Sequence, residues 1–268
     1  YPIASSIVMS FQKVVPGSET FIGLRNYSRL FSDAVFYQAV GNNIVYTLLT
    51  LAVLIPIPMF LAILLNNKLI KFKSFFRSAF FIPALTSVVI AGTIFRLMFT
   101  ELPGGIMNQL IGLFGLDPIK WSKNLWPSRV GLVTLATWRW TGVNILYFLA
   151  GLQNIPDDLY ESADIDGAGI WHKFTKVTLP LLKPVTVYVL TISIFGGMAM
   201  FAESYVFFMN NSSPNNIGLT VVGYLYRNGI ELANFGYASA IGIVLLIFIM
   251  LVNIIQLFLN GEFSKGES

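Results

Sequence analysis

Long apolar runs separated by short polar joints give the chain its pattern. The runs at 39–65, 78–99, 130–152, 184–209 and 234–259 are each long enough for an α-helix to cross a hydrocarbon layer about 30 Å thick. None keeps the strict apolar–polar alternation of a barrel strand, so helices are expected. Tyr1 to Phe11 is apolar but too short to cross. It has no basic leader region and no cleavage site, and reads as the end of a first span whose beginning is absent. The expected fold is an all-α polytopic membrane bundle. It has five complete transmembrane helices plus the end of a truncated first one, in a single transmembrane domain over 1–268.

The joints give orientation. The stretch 23–38, with Asn26, Tyr27, Arg29 and Asp33, predicts a short interfacial helix. The joint 66–77 carries Lys68, Lys71, Lys73 and Arg77, which suits the cytoplasmic side. Parity then puts 153–183 and the polar tail 261–268 on that side, and 12–38, 100–129 and 210–233 outside. Trp121 and Trp126 suit an outer aromatic belt. Ala238, Ser239 and Gly242 place small residues on one face of the last span, which suits close helix packing.

Composition sharpens this picture. Only 11% of the 268 residues are charged, against about 25% in a soluble domain, so the chain cannot cover a water-facing surface. No cysteine is present, which excludes disulfides and thiolate chemistry. His172 is the single histidine, so His-based metal clusters are excluded too. A net charge of +4 fits membrane topology better than nucleic-acid binding. The chain holds no G-x-x-x-x-G-K-[ST] phosphate loop, and no cofactor is expected on it.

The joint 153–183 is the most informative. Pro156 suits a helix start, Asp157 and Asp158 follow in its first turn, and Gly167 can end the helix in a left-handed conformation. A second short helix follows, with Trp171, Phe174 and Val177 on one side, closed by Leu179 and Pro180. Asp157, Asp158, Glu161, Asp164 and Asp166 make this pair acidic. An anionic inner leaflet attracts basic segments instead, so a protein partner fits better than lipid.

These residues resemble a known family. Glu161-Ser-Ala-x-x-Asp166-Gly167-Ala168 followed by Leu179-Pro180 is similar to the EAA loop of permeases in binding-protein-dependent ABC importers. The likeness to maltose-type sugar permeases extends to Gly23-Leu-Arg-Asn26-Tyr27, Phe80-Phe-Ile-Pro83 and Leu149-Ala-Gly-Leu-Gln153. Ser162 stands where the family pattern usually has alanine. Within the family, 87–99 and Ser193-Ile-Phe-Gly-Gly197 most resemble permeases of arabino-oligosaccharide uptake. The resemblance implies a permease subunit in a bacterial cytoplasmic membrane. It pairs with a second permease and docks on two cytoplasmic ATPase subunits that hold ATP and Mg. An extracytoplasmic sugar-binding protein delivers an oligosaccharide. It also implies that Glu161, Ala163, Asp166, Gly167 and Ala168 form the ATPase-coupling surface.

Polar and aromatic groups inside spans are costly unless they face a cavity or a partner. Arg139, Asn144, Tyr147, Phe201, Glu203 and Tyr205 are therefore candidate pathway residues. Arg139 and Glu203 also suit a structural pair, and Arg96 suits snorkelling to the outer interface. An ion-coupled secondary transporter is the main rival. It needs an intramembrane relay and inverted repeats, neither of which is visible. A glycerol-phosphodiester cargo rests on Arg139 alone.

Overall fold

The computed structural model describes residues 1–67, 69–210 and 213–260. Lys68, Asn211 and the tail 261–268 lie outside the described residues. The chain opens with α1 (Pro2–Ser10), followed by a hairpin that the all-helical expectation did not include. Strand β1 (Gln12–Val15) pairs antiparallel with β2 (Ser18–Phe21), Gln12 opposite Phe21. Pro16-Gly17 makes the turn, with Gly17 at φ +78° where a side chain would be strained. This Pro-Gly signal was readable. Then comes α2 (Arg25–Phe31), inside the stretch expected to be helical. Its buried Asn26 donates from Nδ2 to the carbonyls of Ser10 (2.8 Å) and Gln12 (2.9 Å), fixing the hairpin to α1.

Helix α3 (Ala34–Leu54) starts at Asp33, whose Oδ1 accepts from the N–H of Val35 at 2.9 Å and of Phe36 at 3.4 Å. Helix α4 (Pro56–Asn66) continues it, and together they make a 33-residue span starting before the expected residue 39. Next are α5 (Lys73–Leu85), α6 (Val88–Met98), α7 (Ile106–Gly112) and α8 (Leu125–Gln153). The joint after α8 holds α9 (Asp157–Ile165), α10 (Ile170–Lys173), a π turn (Phe174–Thr178) and α11 (Leu179–Leu181). Then come α12 (Lys183–Met198), α13 (Ala202–Phe207), α14 (Val221–Tyr226) and α15 (Phe235–Leu259).

The expected spans need correction in three places. The run 78–99 is two helices, α5 and α6, meeting at 95°. The run 184–209 stops at Met198 and restarts at Ala202 as α13. The joint 210–233 contains α14, prolonged by a π turn (Arg227–Glu231). Among the described residues, two helices are long and apolar enough to cross a membrane, or up to four if each bent pair is one span. Helix α8 has 29 residues, enough length, but Arg139, Thr141 and Asn144 are buried in it. It packs against α3, α4, α5, α6, α12 and α13, so protein rather than lipid surrounds much of it. A helix in that position has no need to be apolar on every side.

Two apolar clusters anchor α8. One, with Met59, Leu65, Phe148, Leu152, Ile155 and Leu182, lies toward α9. The other, with Phe95, Phe99, Trp121, Leu132 and Phe207, lies toward α7. Trp121 is therefore not a belt residue: it is buried, and its Nε1 donates to Asn108 Oδ1 at 2.8 Å. Asn108 also bonds the backbone of Thr100, Leu102 and Ile119, ordering the 100–129 joint around one amide. Trp126 remains exposed, with the Arg129 guanidinium 4.9 Å from its ring centre. Gly142 lets the α5 backbone cross α8 in contact, since a Cβ there would overlap the Phe80 carbonyl. The small face of α15 packs as expected: Ala238 lies against Gly229, and Gly242 against Leu225.

Asp33 joins α3 to α14 and α15. Its Oδ2 accepts from the hydroxyls of Tyr224 and of Tyr237, the latter at 2.7 Å, and Arg29 lies 4.1 Å above the Tyr237 ring. Burial alone pushes the carboxyl up, but the bonds from Tyr224, Tyr237, Val35 and Phe36 outweigh it and hold it below its ordinary value. A carboxyl depressed on folding contributes stability above its unfolded value of about 3.9, and loses it as pH falls through the folded value. Thermal unfolding of the detergent-purified chain between pH 7 and 3 is expected to fall less steeply below pH 4 in Asp33→Asn than in the natural chain.

Candidate coupling surface and transport cavity

The acidic joint folds as two short elements around Gly167. Helix α9 starts after Pro156, with Asp157 and Asp158 in its first turn. It ends in a two-bond cap: the N–H of Ala168 donates to the Ala163 carbonyl at 2.8 Å, and that of Gly167 to the Asp164 carbonyl at 3.0 Å. Gly167 sits at φ +75°, as this cap requires, and Asp166 is the C-cap. Ala163 and Ala168 are the half-buried residues at the two ends of the 2.8 Å bond. Glu161, Asp166 and Gly167 are exposed.

Two polar links tie α9 to the helices after it. Lys173 Nζ lies 2.6 Å from Asp164 Oδ1, and the Tyr160 hydroxyl lies 2.9 Å from the buried Thr178 Oγ1. The second helix closes at Leu181, one residue past the expected Pro180. It runs through the π turn into α11 and meets α12 at 63°. Pro180 lacks the N–H that a regular α-turn would direct to Lys176, and the wider turn lies just before it. The surface next to Gly167 is apolar as well as acidic: Ile165 and Ile170 are each 86% exposed and Trp171 74%. His172 is exposed on the same segment.

A cavity of about 330 Å³ lies between α3, α8, α12 and the start of α13. Of the candidate pathway residues, Asn144, Tyr147 and Glu203 line it. Tyr46, Thr50 and Trp140 join them. Tyr46 and Thr50 were missed, although Asn43, Thr47, Thr50 and Leu54 follow i, i+4, i+7, i+11 and are all buried. That polar seam in an apolar helix was the available signal. Arg139 stands behind the wall: its Nη1 lies 2.9 Å from Glu203 Oε1, and its Nη2 is 3.5 Å from the Thr86 carbonyl. Phe201 and Tyr205 are not in the lining. Their rings pack at a tilt against each other at 5.0 Å, and against Tyr226 at 5.1 Å (Phe201, tilted) and 5.5 Å (Tyr205, edge-on). Arg96 lines a separate cavity near Glu101 and Lys123.

The polar groups around the cavity hold the helix breaks. Pro58 has no N–H for the Leu54 carbonyl, and Asn144 Nδ2 donates to it at 3.0 Å. Arg139 reaches the Thr86 carbonyl at the α5–α6 bend. Glu203 lies in the first turn of α13, just after the α12 break. Asn43 donates to the last carbonyls of α12, Gly197 at 2.8 Å and Met198 at 3.2 Å, and accepts from the N–H of Val221 at 2.8 Å.

The fold and sequence have known counterparts. The arabinooligosaccharides transport system permease protein AraP of Bacillus subtilis is 56% identical over 267 residues, covering 100% of this chain and 84% of that protein. Its namesake from Halalkalibacterium halodurans is 52% identical with the same coverage. A lactose transport system permease of Rhizobium radiobacter is 33% identical over 98% of this chain and 88% of its own. A crystal structure of a bacterial ABC transporter that imports the acidic polysaccharide alginate matches with a TM-score of 0.80 at 22% identity, covering 97% of this chain and 88% of that one. Residues 30–265 match the family described as binding-protein-dependent transport system inner membrane component, and the chain belongs to that family.

Proposed function

We propose that this chain forms half of the translocation pathway of an ATP-driven importer for an oligosaccharide, of the arabino-oligosaccharide class carried by its relatives. It crosses the membrane five times, at α3–α4, α5–α6, α8, α12–α13 and α15. The joint 153–183 faces the cytoplasm. Glu161, Ala163, Asp166, Gly167 and Ala168 meet one of two ATPase subunits, which carry ATP and Mg. A second permease subunit completes the pathway, and an extracytoplasmic binding protein delivers the sugar. Asn144, Tyr147 and Glu203 face the cargo, and Arg139 supports Glu203 from behind.

One observation carries the reading. Helix α9 is bonded to the 170–181 segment, which joins α12, and residues 192–197 of α12 contribute to the cavity wall. A force on the exposed loop therefore has a short covalent and hydrogen-bonded route to the cavity. The arrangement matches what an ATP-driven importer needs: nucleotide closure at one end moving a wall at the other.

The test is at the loop. Glu161→Ala removes an exposed carboxylate, and Gly167→Pro forbids the φ of +75° that the cap requires. Both variants are expected to insert in the membrane normally. Co-purification of the ATPase and sugar uptake are expected to fall about tenfold or more, corresponding to roughly 1.4 kcal/mol of lost docking energy. Normal co-purification and uptake in both variants would refute the coupling role. Uptake by the purified chain without ATPase or binding protein favours a secondary transporter instead.

A further inference from the structure

We infer that Glu203 makes the cavity a charge filter that admits neutral oligosaccharides and rejects acidic ones; this rests on the reading of the cavity as this chain's share of the sugar pathway. Among the described residues, Glu203 is the single charged one in the lining. Tyr46, Thr50, Asn144, Tyr147 and Trp140 are neutral, offering hydroxyls, an amide and aromatic faces. Such groups suit the hydroxyls and C–H faces of a neutral sugar.

The counter-ion weakens the field inside the cavity without reversing it. Arg139 is outside the lining, with its guanidinium between Glu203 Oε1 (2.9 Å) and the Thr86 carbonyl (3.5 Å). Both side chains are mostly buried, 10% exposed for Arg139 and 15% for Glu203. The pair is thus an oriented dipole with its negative end toward the cargo. A space of this volume is roughly 9 Å across, about one Debye length, so a carboxylate on the cargo cannot escape Glu203 by distance or salt. Like charges at this range in a partly dry site are strongly unfavourable, and a selectivity of about tenfold or more against uronates is expected.

The experiment uses the assembled importer in nanodiscs without its binding protein, so that only the permeases select. Arabinotetraose and tetragalacturonate are titrated at pH 7. Binding is read as the part of the tryptophan quenching that disappears in Trp140→Phe. The expected result is at least about tenfold tighter binding of the neutral sugar. In Glu203→Gln the amide oxygen can still accept from Arg139, but the wall loses its negative end. The acidic-to-neutral affinity ratio is then expected to rise about fivefold or more. Equal binding of both sugars by the natural chain overturns the filter and leaves the cavity reading standing. An unchanged ratio in Glu203→Gln overturns the assignment to Glu203. Absence of any Trp140-dependent signal with arabinotetraose overturns the cavity reading and the filter together.

Discussion

Replacing Arg139 by Met alone, or Glu203 by Leu alone, is expected to destabilise the chain by about 3–5 kcal/mol, because each leaves the other charge buried without its partner. Nη1 of Arg139 lies 2.9 Å from Glu203 Oε1 across elements 64 residues apart in sequence. The pair joins α8 to α13, and through the Thr86 carbonyl to the α5–α6 bend. The double variant Arg139→Met/Glu203→Leu is expected to recover more than half of the loss. Charge removal leaves no desolvated ion, and buried pairs are often replaceable by apolar groups of similar size. Among the described residues Arg139 Nε has no hydrogen-bond partner, so the native pair is itself incompletely satisfied. Thermal unfolding of the four chains in nanodiscs gives the cycle. Additive losses in the double variant rule out a mutual pair. Sugar uptake should stay impaired even where stability returns, since the cavity wall has changed.

The sequence made the membrane class and the turn between α9 and α10 legible, and the physical reasons differ. Apolar runs report burial against lipid or protein through composition alone, so α15 was found at nearly its observed bounds. The Gly167 cap was readable because a helix end needs one residue that tolerates positive φ, and α9 ends there. The breaks were harder. The α12 break after Met198 follows no proline: Asn43, about 150 residues earlier, holds the free carbonyls. The 95° bend at Thr86–Ser87 likewise lies past Pro83, the proline within α5. Such breaks depend on tertiary partners, which a linear reading does not see. The same reason explains the mixed outcome for the pathway residues. Polar character singled out Asn144, Glu203 and Arg139, and the first two line the cavity while the third lies behind it. Only three-dimensional neighbours separated the cavity-lining Glu203 from Arg139 behind it, and assigned Phe201 and Tyr205 to a separate aromatic cluster with Tyr226. Thr50 was legible in principle, as part of the seam of Asn43, Thr47 and Thr50, but hydroxyls are unremarkable in an apolar run.

Asn144→Leu is expected to destabilise the chain by about 1–3 kcal/mol, and Pro58→Ala is expected to restore much of that loss. Asn144 donates to the Leu54 carbonyl, the one acceptor that Pro58 leaves without its regular partner. The ladder holds on either side of it: the N–H of Ile55 bonds the Leu51 carbonyl, and that of Met59 bonds the Ile55 carbonyl, both at 3.2 Å, while Pro56 leaves only the separate Ala52 carbonyl without its regular donor. The Pro58→Ala change therefore brings an N–H to a backbone already close to helical, since Ile55 has φ −94° and ψ −61°. The double variant should be more stable than the sum of the two single effects by about 1 kcal/mol or more. Thermal unfolding of the four chains in one detergent decides it. If Asn144→Leu costs the same in the Pro58→Ala background as in the natural chain, the amide does not serve the orphaned carbonyl. Uptake measured on the same chains separates the two roles of Asn144. Stability that returns without transport assigns its remaining polar atom to the cargo, while the return of both makes Asn144 a staple of the α3–α4 junction and leaves sugar recognition to Glu203, Trp140 and the tyrosines of the wall.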